Sequence, residues 1–197
     1  MREFILLASK SKTSSDFSLD NLPEAGRMDL VCRTISNALW ISNDLRKDTA
    51  IHVAMNGPPC PPKMISFFGE NLSGILPDER SIGLAVKTTL KAGMDLKLEE
   101  KKEAFPGIAV AKKSFESLIK EKSKTSQLVY LHPKGKDLRE FKFEKDVCFV
   151  LGDFIGLPPK TEKLLDRLGA ERISLGPVVV FASHCPILVH NEMDRRG

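Results

Sequence analysis

The chain has 197 residues, 42% hydrophobic and 28% charged, with a net charge of +4. That balance is the balance of a soluble globular protein, and the length suits one domain with a substantial core. No run of about 18 apolar residues occurs, so no transmembrane helix is expected.

The opening segment MREFILLASKSK holds too short an apolar stretch for a signal peptide and reads as the first strand of a cytoplasmic protein. Residues 3–8 (EFILLA) form that strand. Residues 9–24 are polar with few apolar anchors, which predicts a long exposed loop. A helix is expected over 26–42, because Met28, Val31, Ile35, Ala38 and Leu39 recur every three or four residues. Asp29, Arg33 and Asn37 share its opposite side, and Arg27 lies at its entrance.

Residues 50–55 suit a second strand, which runs into the breaker Asn56-Gly57-Pro58-Pro59. Residues 63–68 alternate, as a strand at a sheet edge would. A helix over 78–91 opens at Asp78 or Ser81 as cap. Residues 105–109 read as a short extended piece, and 112–122 as a helix with Phe115, Leu118 and Ile119 inward.

From residue 127 strands and helices alternate. Strands are expected at 127–131, 147–151 and 172–175, ending at His132-Pro133, Gly152 and Gly176-Pro177. Gly169 closes a helix over 161–168. A last helix runs from Ser183, as cap, to about Met193, with Pro186 in its first turn. This alternation implies an α/β fold, a mostly parallel sheet flanked by helices.

Charge is uneven along the chain. Lys112 to Lys145 carries ten Lys/Arg against five Asp/Glu. Such a stretch suits a polyanion partner, or a solvated helix face and loop.

In open parallel sheets, ligands bind beyond the carboxyl ends of strands. Three ends could converge here: Leu131-His132, Leu151-Gly152-Asp153 and Leu175-Gly176-Pro177. No GxGxxG, GxxxxGK[ST] or GxSxG is present, which argues against nicotinamide, flavin, P-loop and serine-hydrolase chemistry. Ser183, His184 and Cys185 are adjacent on the expected helix and point apart, so they form no triad. The four cysteines make no CxxC, and the four histidines make no HExxH or Cys/His ligand set. Reduced thiols and no metal are expected. Asp29 and Arg33 suit either a surface ion pair or a polar face turned to substrate, while Arg27 and Arg80 suit phosphates.

Six segments carry a family likeness: AGRMDLVCR (25–33), PDERSIG (77–83), VYLHPKG (129–135), FVLGDFIGLP (149–158), ISLGP (173–177) and ASHCPILVHNEMDR (182–195). In these, and in their order along the chain, the sequence resembles the archaeal tRNA pseudouridine N1-methyltransferases of the SPOUT superfamily. The resemblance implies a single SPOUT domain over 1–197, with a deep C-terminal trefoil knot over roughly 127–197. Pattern rules alone exclude a knot, because true knots are rare. The likeness also implies a homodimer through the knot region.

For the site, the resemblance implies S-adenosyl-L-methionine as methyl donor and no metal. The cofactor would contact Leu131, Gly152, Ile173, Ser174, Leu175, Gly176, Pro177, Val178 and Cys185, against apolar walls from Leu151, Leu157 and Leu175. The implied substrate is pseudouridine at position 54 in the T-loop of tRNA, and the product N1-methylpseudouridine. Within that frame Asp29 is the candidate proton acceptor or orienter and Arg33 its catalytic partner. Arg27, Arg33 and Arg80 would grip RNA phosphates. A base flipped out of its stack suits a recessed pocket. The alternatives are a pseudouridine N1-methyltransferase of small-subunit ribosomal RNA, a non-catalytic RNA-binding module, and a small-molecule enzyme. With one Trp and one Tyr, the sequence offers an RNA-binding module no aromatic platform.

Overall fold

Strand β1 (Arg2–Ala8) sends its side chains alternately into two apolar layers: Phe4, Leu6 and Ala8 into one, Ile5 and Leu7 into the other. A strand covered on both faces has no polar side to show, which is why EFILLA reads as a continuous apolar run. In the computed structural model, which describes residues 1–196, the elements that follow are α1 (Met28–Leu39), a small hairpin of β2 (Trp40–Ile41) and β3 (Asp44–Leu45), β4 (Thr49–Met55), β5 (Lys63–Phe68), α2 (Glu79–Ala92), β6 (Lys101–Phe105), β7 (Ile108–Ala111), α3 (Phe115–Lys122), β8 (Gln127–Asp137), β9 (Val147–Gly152), α4 (Pro159–Arg167), β10 (Glu171–Ser174) and α5 (Cys185–Arg196).

Eight strands form one sheet in the order β10-β8-β9-β1-β4-β5-β7-β6. The first five run parallel, and β5, β7 and β6 pair antiparallel. Leu30, Ile35 and Leu39 of α1, Ile82 and Val86 of α2, and Val189 of α5 fill the layer on the Phe4 side. Phe115, Leu118 and Ile119 of α3 and Leu165 of α4 fill the other.

Several expectations are corrected. Residues 63–68 are not an edge: β5 is paired on both sides, and its Lys63 is buried, with Nζ on the Gly93 carbonyl oxygen. The edge is β6, whose run KKEAF is exposed and charged and so carries no apolar alternation. Residues 105–109 span the turn of the β6–β7 hairpin, where Gly107 has φ 76° and a Cβ would meet the backbone nitrogen of Leu72 at 2.6 Å. The loop over 9–24 is not uniformly exposed, since Ser11, Thr13, Phe17 and Leu22 are buried. Thr13 Oγ1 donates to the Gly57 carbonyl oxygen and accepts from the Cys60 amide, both at 2.9 Å, replacing backbone pairs that a loop lacks. Ser183 is not a cap; it is buried in a 3-10 turn, Ala182–His184, ahead of α5.

Candidate active site

A cavity of about 330 Å³ opens where β8, β9 and β10 turn away from the sheet. Its first wall comes from a break in the β8–β10 ladder. Arg172 pairs with Tyr130, but the next residue, Ile173, pairs with Lys136. Residues 131–135 are left out of the ladder, and Leu131, His132 and Pro133 line the cavity. Pro133 has no N–H to give a neighbouring strand. Gly135 lets the two strands close again, since a Cβ there would lie 2.4 Å from the Ile173 carbonyl carbon.

The second wall is the turn GDFIG after β9. The buried Asp153 carboxylate fixes it, accepting from the Ser9 amide at 2.7 Å and the Ile155 amide at 2.9 Å. Gly152 is required by the turn itself, because a Cβ would lie 2.4 Å from the Gly156 carbonyl carbon. The rest of the lining is mostly apolar: Leu151, Leu157, Leu175 and Val178 to Val180, closed below by Cys185. Burial pushes the Cys185 thiol up to about 12, so it stays protonated and is no nucleophile. Glu162 of α4 also lines the cavity, with Oε1 3.9 Å from His132 Nε2. Among the described residues, its carboxylate accepts no hydrogen bond.

Beside the cavity lies a charged cluster at the start of α1. Arg27 sits at the N-cap with φ 65°, after Gly26 at φ 71°. A Cβ at Gly26 would fall 1.8 Å from the Lys10 carbonyl oxygen, so the chain reverses there only with glycine. The turn aims Arg27 back at Asp29, with Nε to Oδ1 at 2.9 Å and Nη2 to Oδ2 at 3.0 Å. Arg33 Nη2 reaches the same Oδ2 at 2.5 Å, and its Nη1 reaches Glu79 at 3.3 Å. Burial works to raise the Asp29 carboxyl, but the Arg27 hydrogen bonds and the charges of both arginines outweigh it and hold it below the usual range. The Arg27 guanidinium carbon lies 5.4 Å from the Phe154 ring centroid, joining this cluster to the GDFIG turn.

A family model described as "Putative SAM-dependent RNA methyltransferase" matches residues 1–197. The chain belongs to that family. A protein of Methanococcus maripaludis strain C6 named tRNA (pseudouridine(54)-N(1))-methyltransferase is 44% identical over 99% of each chain. One of Methanocaldococcus jannaschii with the same name is 40% identical over 100% of this chain and 98% of its own. The crystal structure of Archaeoglobus fulgidus Nep1 bound to S-adenosylhomocysteine superposes with a TM-score of 0.63, at 14% identity over 98% of this chain and 97% of that one. At that identity the likeness is one of fold.

In this member of the methyltransferase family, Leu131, Gly152, Ile173, Ser174, Leu175, Gly176, Val178 and Cys185 line one cavity. Pro177 is not among the lining residues. Asp29, Arg27 and Arg33 come together, but Asp29 is buried rather than turned outward. Asn37 is drawn into the fold, donating to the Ser183 carbonyl oxygen. Arg80 stands apart from the cluster on an exposed pair with Asp20. The sequence reading missed Glu162, because a lone Glu on a polar helix carries no signal of what it faces. Among the described residues no group of three or more His, Cys, Asp or Glu could hold a metal ion.

Proposed function

We propose that this protein transfers a methyl group from S-adenosyl-L-methionine to N1 of pseudouridine 54 in the T-loop of tRNA. The observation that carries it is the apolar cavity joined to the Arg27–Asp29–Arg33 cluster through the GDFIG turn, whose Phe154 meets Arg27, in a chain whose relatives at 40–44% identity bear that enzyme's name. The cavity fits the cofactor. Its volume is in the small-ligand range, and its apolar walls suit an adenine ring. Backbone at 173–178 can hydrogen-bond the adenine edge, with Gly176 open on its Cβ side. Glu162, which accepts no hydrogen bond among the described residues, offers a carboxylate to the cofactor's amino group. Leu131, Gly152, Ile173 to Val178 and Cys185 are the assigned cofactor residues, Pro177 acting through the turn it shapes.

The cofactor supplies an electrophilic methyl on a sulfonium. The chain's part is to hold the pseudouridine N1 in line with it, where most of the acceleration arises. Arg27 and Arg33 grip the RNA near the target nucleotide, and Arg80 adds a contact further out. An ionised Asp29 clamped by two guanidiniums is a poor base, so its role is to orient them, and the proton displaced from N1 passes to solvent.

We assign residues 1–197 to one SPOUT domain with a trefoil knot over roughly 127–197. In support, the chain leaves β10 at one sheet margin and returns across the sheet, so that His190 Nε2 of α5 reaches the Ala38 carbonyl oxygen at 2.9 Å. We assign a homodimer through the knot region, supported by exposed Val178, Val179, Phe181 and Ile187. No helix of the described residues is long and apolar enough to cross a membrane. A cytoplasmic site of action fits an enzyme of tRNA.

The test uses labelled S-adenosylmethionine and two forms of one tRNA transcript, with uridine or pseudouridine at position 54. Methyl transfer to the second alone is expected. Transfer to neither, with small-subunit ribosomal RNA labelled instead, would move the substrate.

A further inference from the structure

Three phenylalanines are more than a third exposed: Phe105 on the edge strand β6, Phe154 in the GDFIG turn and Phe181 beside the cavity. One Trp and one Tyr give no aromatic platform for RNA, but the chain also holds eleven Phe. Exposure of Phe changes that, and Phe154 is the one set against the charged cluster.

Phe154 is 53% exposed, on a turn that hydrogen bonds hold to the rest of the fold. Its neighbours Gly152, Asp153 and Gly156 line the cavity, and Asp153 ties the turn to Ser9 and Ile155 by two hydrogen bonds. The Arg27 guanidinium lies 5.4 Å from the ring centroid, and Arg27 is itself held at two points by buried Asp29. An exposed ring beside a cation, on a turn that lines a recessed cavity, is an arrangement that can stack an unpaired base. A single-stranded RNA base has a π-face for the ring, and its own phosphate lies within reach of the arginines. An exposed aliphatic side chain in that place would supply contact area but no stacking geometry.

We infer that Phe154, steadied by Arg27, is the platform on which a base of the RNA loop stacks as the target pseudouridine enters the cavity. This rests on the RNA methyltransferase assignment above. Phe154 contributes to substrate capture and positioning, and the cofactor is bound without it.

The experiment compares wild type with Phe154→Ala, Phe154→Leu and Phe154→Tyr. Each is assayed for kcat and KM on pseudouridine-containing tRNA, with cofactor Kd by calorimetry and mass by light scattering. Both Ala and Leu are expected to lower kcat/KM about ten-fold (~1.4 kcal/mol), chiefly through KM for tRNA. Tyr restores it, and cofactor Kd and mass stay at wild-type values. Full rescue by Leu would overturn stacking in favour of simple apolar packing. A change of mass that tracks the loss of activity would overturn it in favour of a contact between protein copies. A wild-type protein inert on every pseudouridine RNA would instead overturn the assignment beneath it.

Discussion

Asn37 of α1 donates through Nδ2 to the carbonyl oxygen of Ser183 at 2.7 Å, tying the helix of the Asp29 cluster to the turn before Cys185. The two residues are 146 apart in the chain. Asn37→Ala leaves a partly buried carbonyl without its donor, which costs about 1–2 kcal/mol. A melting temperature lower by about 2–4 °C per kcal/mol is expected. Cofactor affinity falls too, because the freed turn forms part of the cavity wall. Unchanged melting and unchanged affinity would show that the bond positions nothing.

Removing Asp29 frees both Arg27 and Arg33. Asp29→Ala is expected to reduce kcat/KM for tRNA roughly a hundred-fold, ~2.7 kcal/mol. Cofactor Kd stays within about two-fold, since Asp29 does not line the cavity. Asp29→Asn falls between, as it keeps an acceptor but loses the charge. Full activity in Asp29→Ala would exclude the cluster from the reaction.

Glu162, 3.9 Å from His132 Nε2, is the cavity's carboxylate that accepts no hydrogen bond among the described residues, in contrast to Asp153. Glu162→Gln is expected to weaken S-adenosylmethionine binding about ten-fold by calorimetry, equivalent to ~1.4 kcal/mol. Binding of S-adenosylhomocysteine should weaken equally, because both carry the same ammonium. A loss confined to the methyl donor would place the carboxylate against the sulfonium instead.

On the opposite face, Glu3 of β1 pairs with Lys122 of α3 and with His52 of β4 at 2.8 Å, and His52 Nδ1 lies 2.8 Å from Ser66 Oγ. Burial works to raise the Glu3 carboxyl, but the His52 and Lys122 contacts outweigh it and bring it from 4.5 to about 2. Burial also holds His52 below its ordinary value, so it is the neutral ring that donates to an ionised Glu3. A carboxyl lowered by folding stabilises the fold above its ordinary value. That stability is lost as pH falls from 4.5 toward about 2. Lys122→Met leaves the charge without its cation and is expected to cost about 3 kcal/mol at neutral pH. A chemical denaturation series from pH 7 to 3 checks both, and a variant as stable as wild type at pH 7 would contradict the pairing.

Strands covered on both faces were legible, because β1 and β4 are dominated by apolar residues, with Glu3 and His52 among the polar exceptions. The glycine turns were legible as turns, but Gly152 is there for its contact with Gly156, a relation four residues along that composition does not reveal. The i,i+4 spacing of Asp29 and Arg33 was legible; the burial of Asp29 was not, since it depends on Arg27 turning back through a left-handed residue. Strand β6 was hidden because edge strands need no apolar alternation. Thr13 and Ser11 were hidden because their partners, at Gly57 and Gly26, are distant in the chain. Phe154 could be counted but not placed, because exposure of a phenylalanine is a property of the turn that carries it.

The sheet's two margins differ in kind from its centre. At one, β6 presents exposed Lys101, Lys102 and Glu103; at the other, β10 is four residues long and begins with exposed Glu171 and Arg172. A second extended chain approaching either margin meets ionic groups and too short a template. Growth by strand addition, the route into fibrils and disordered aggregates, is therefore disfavoured at both ends.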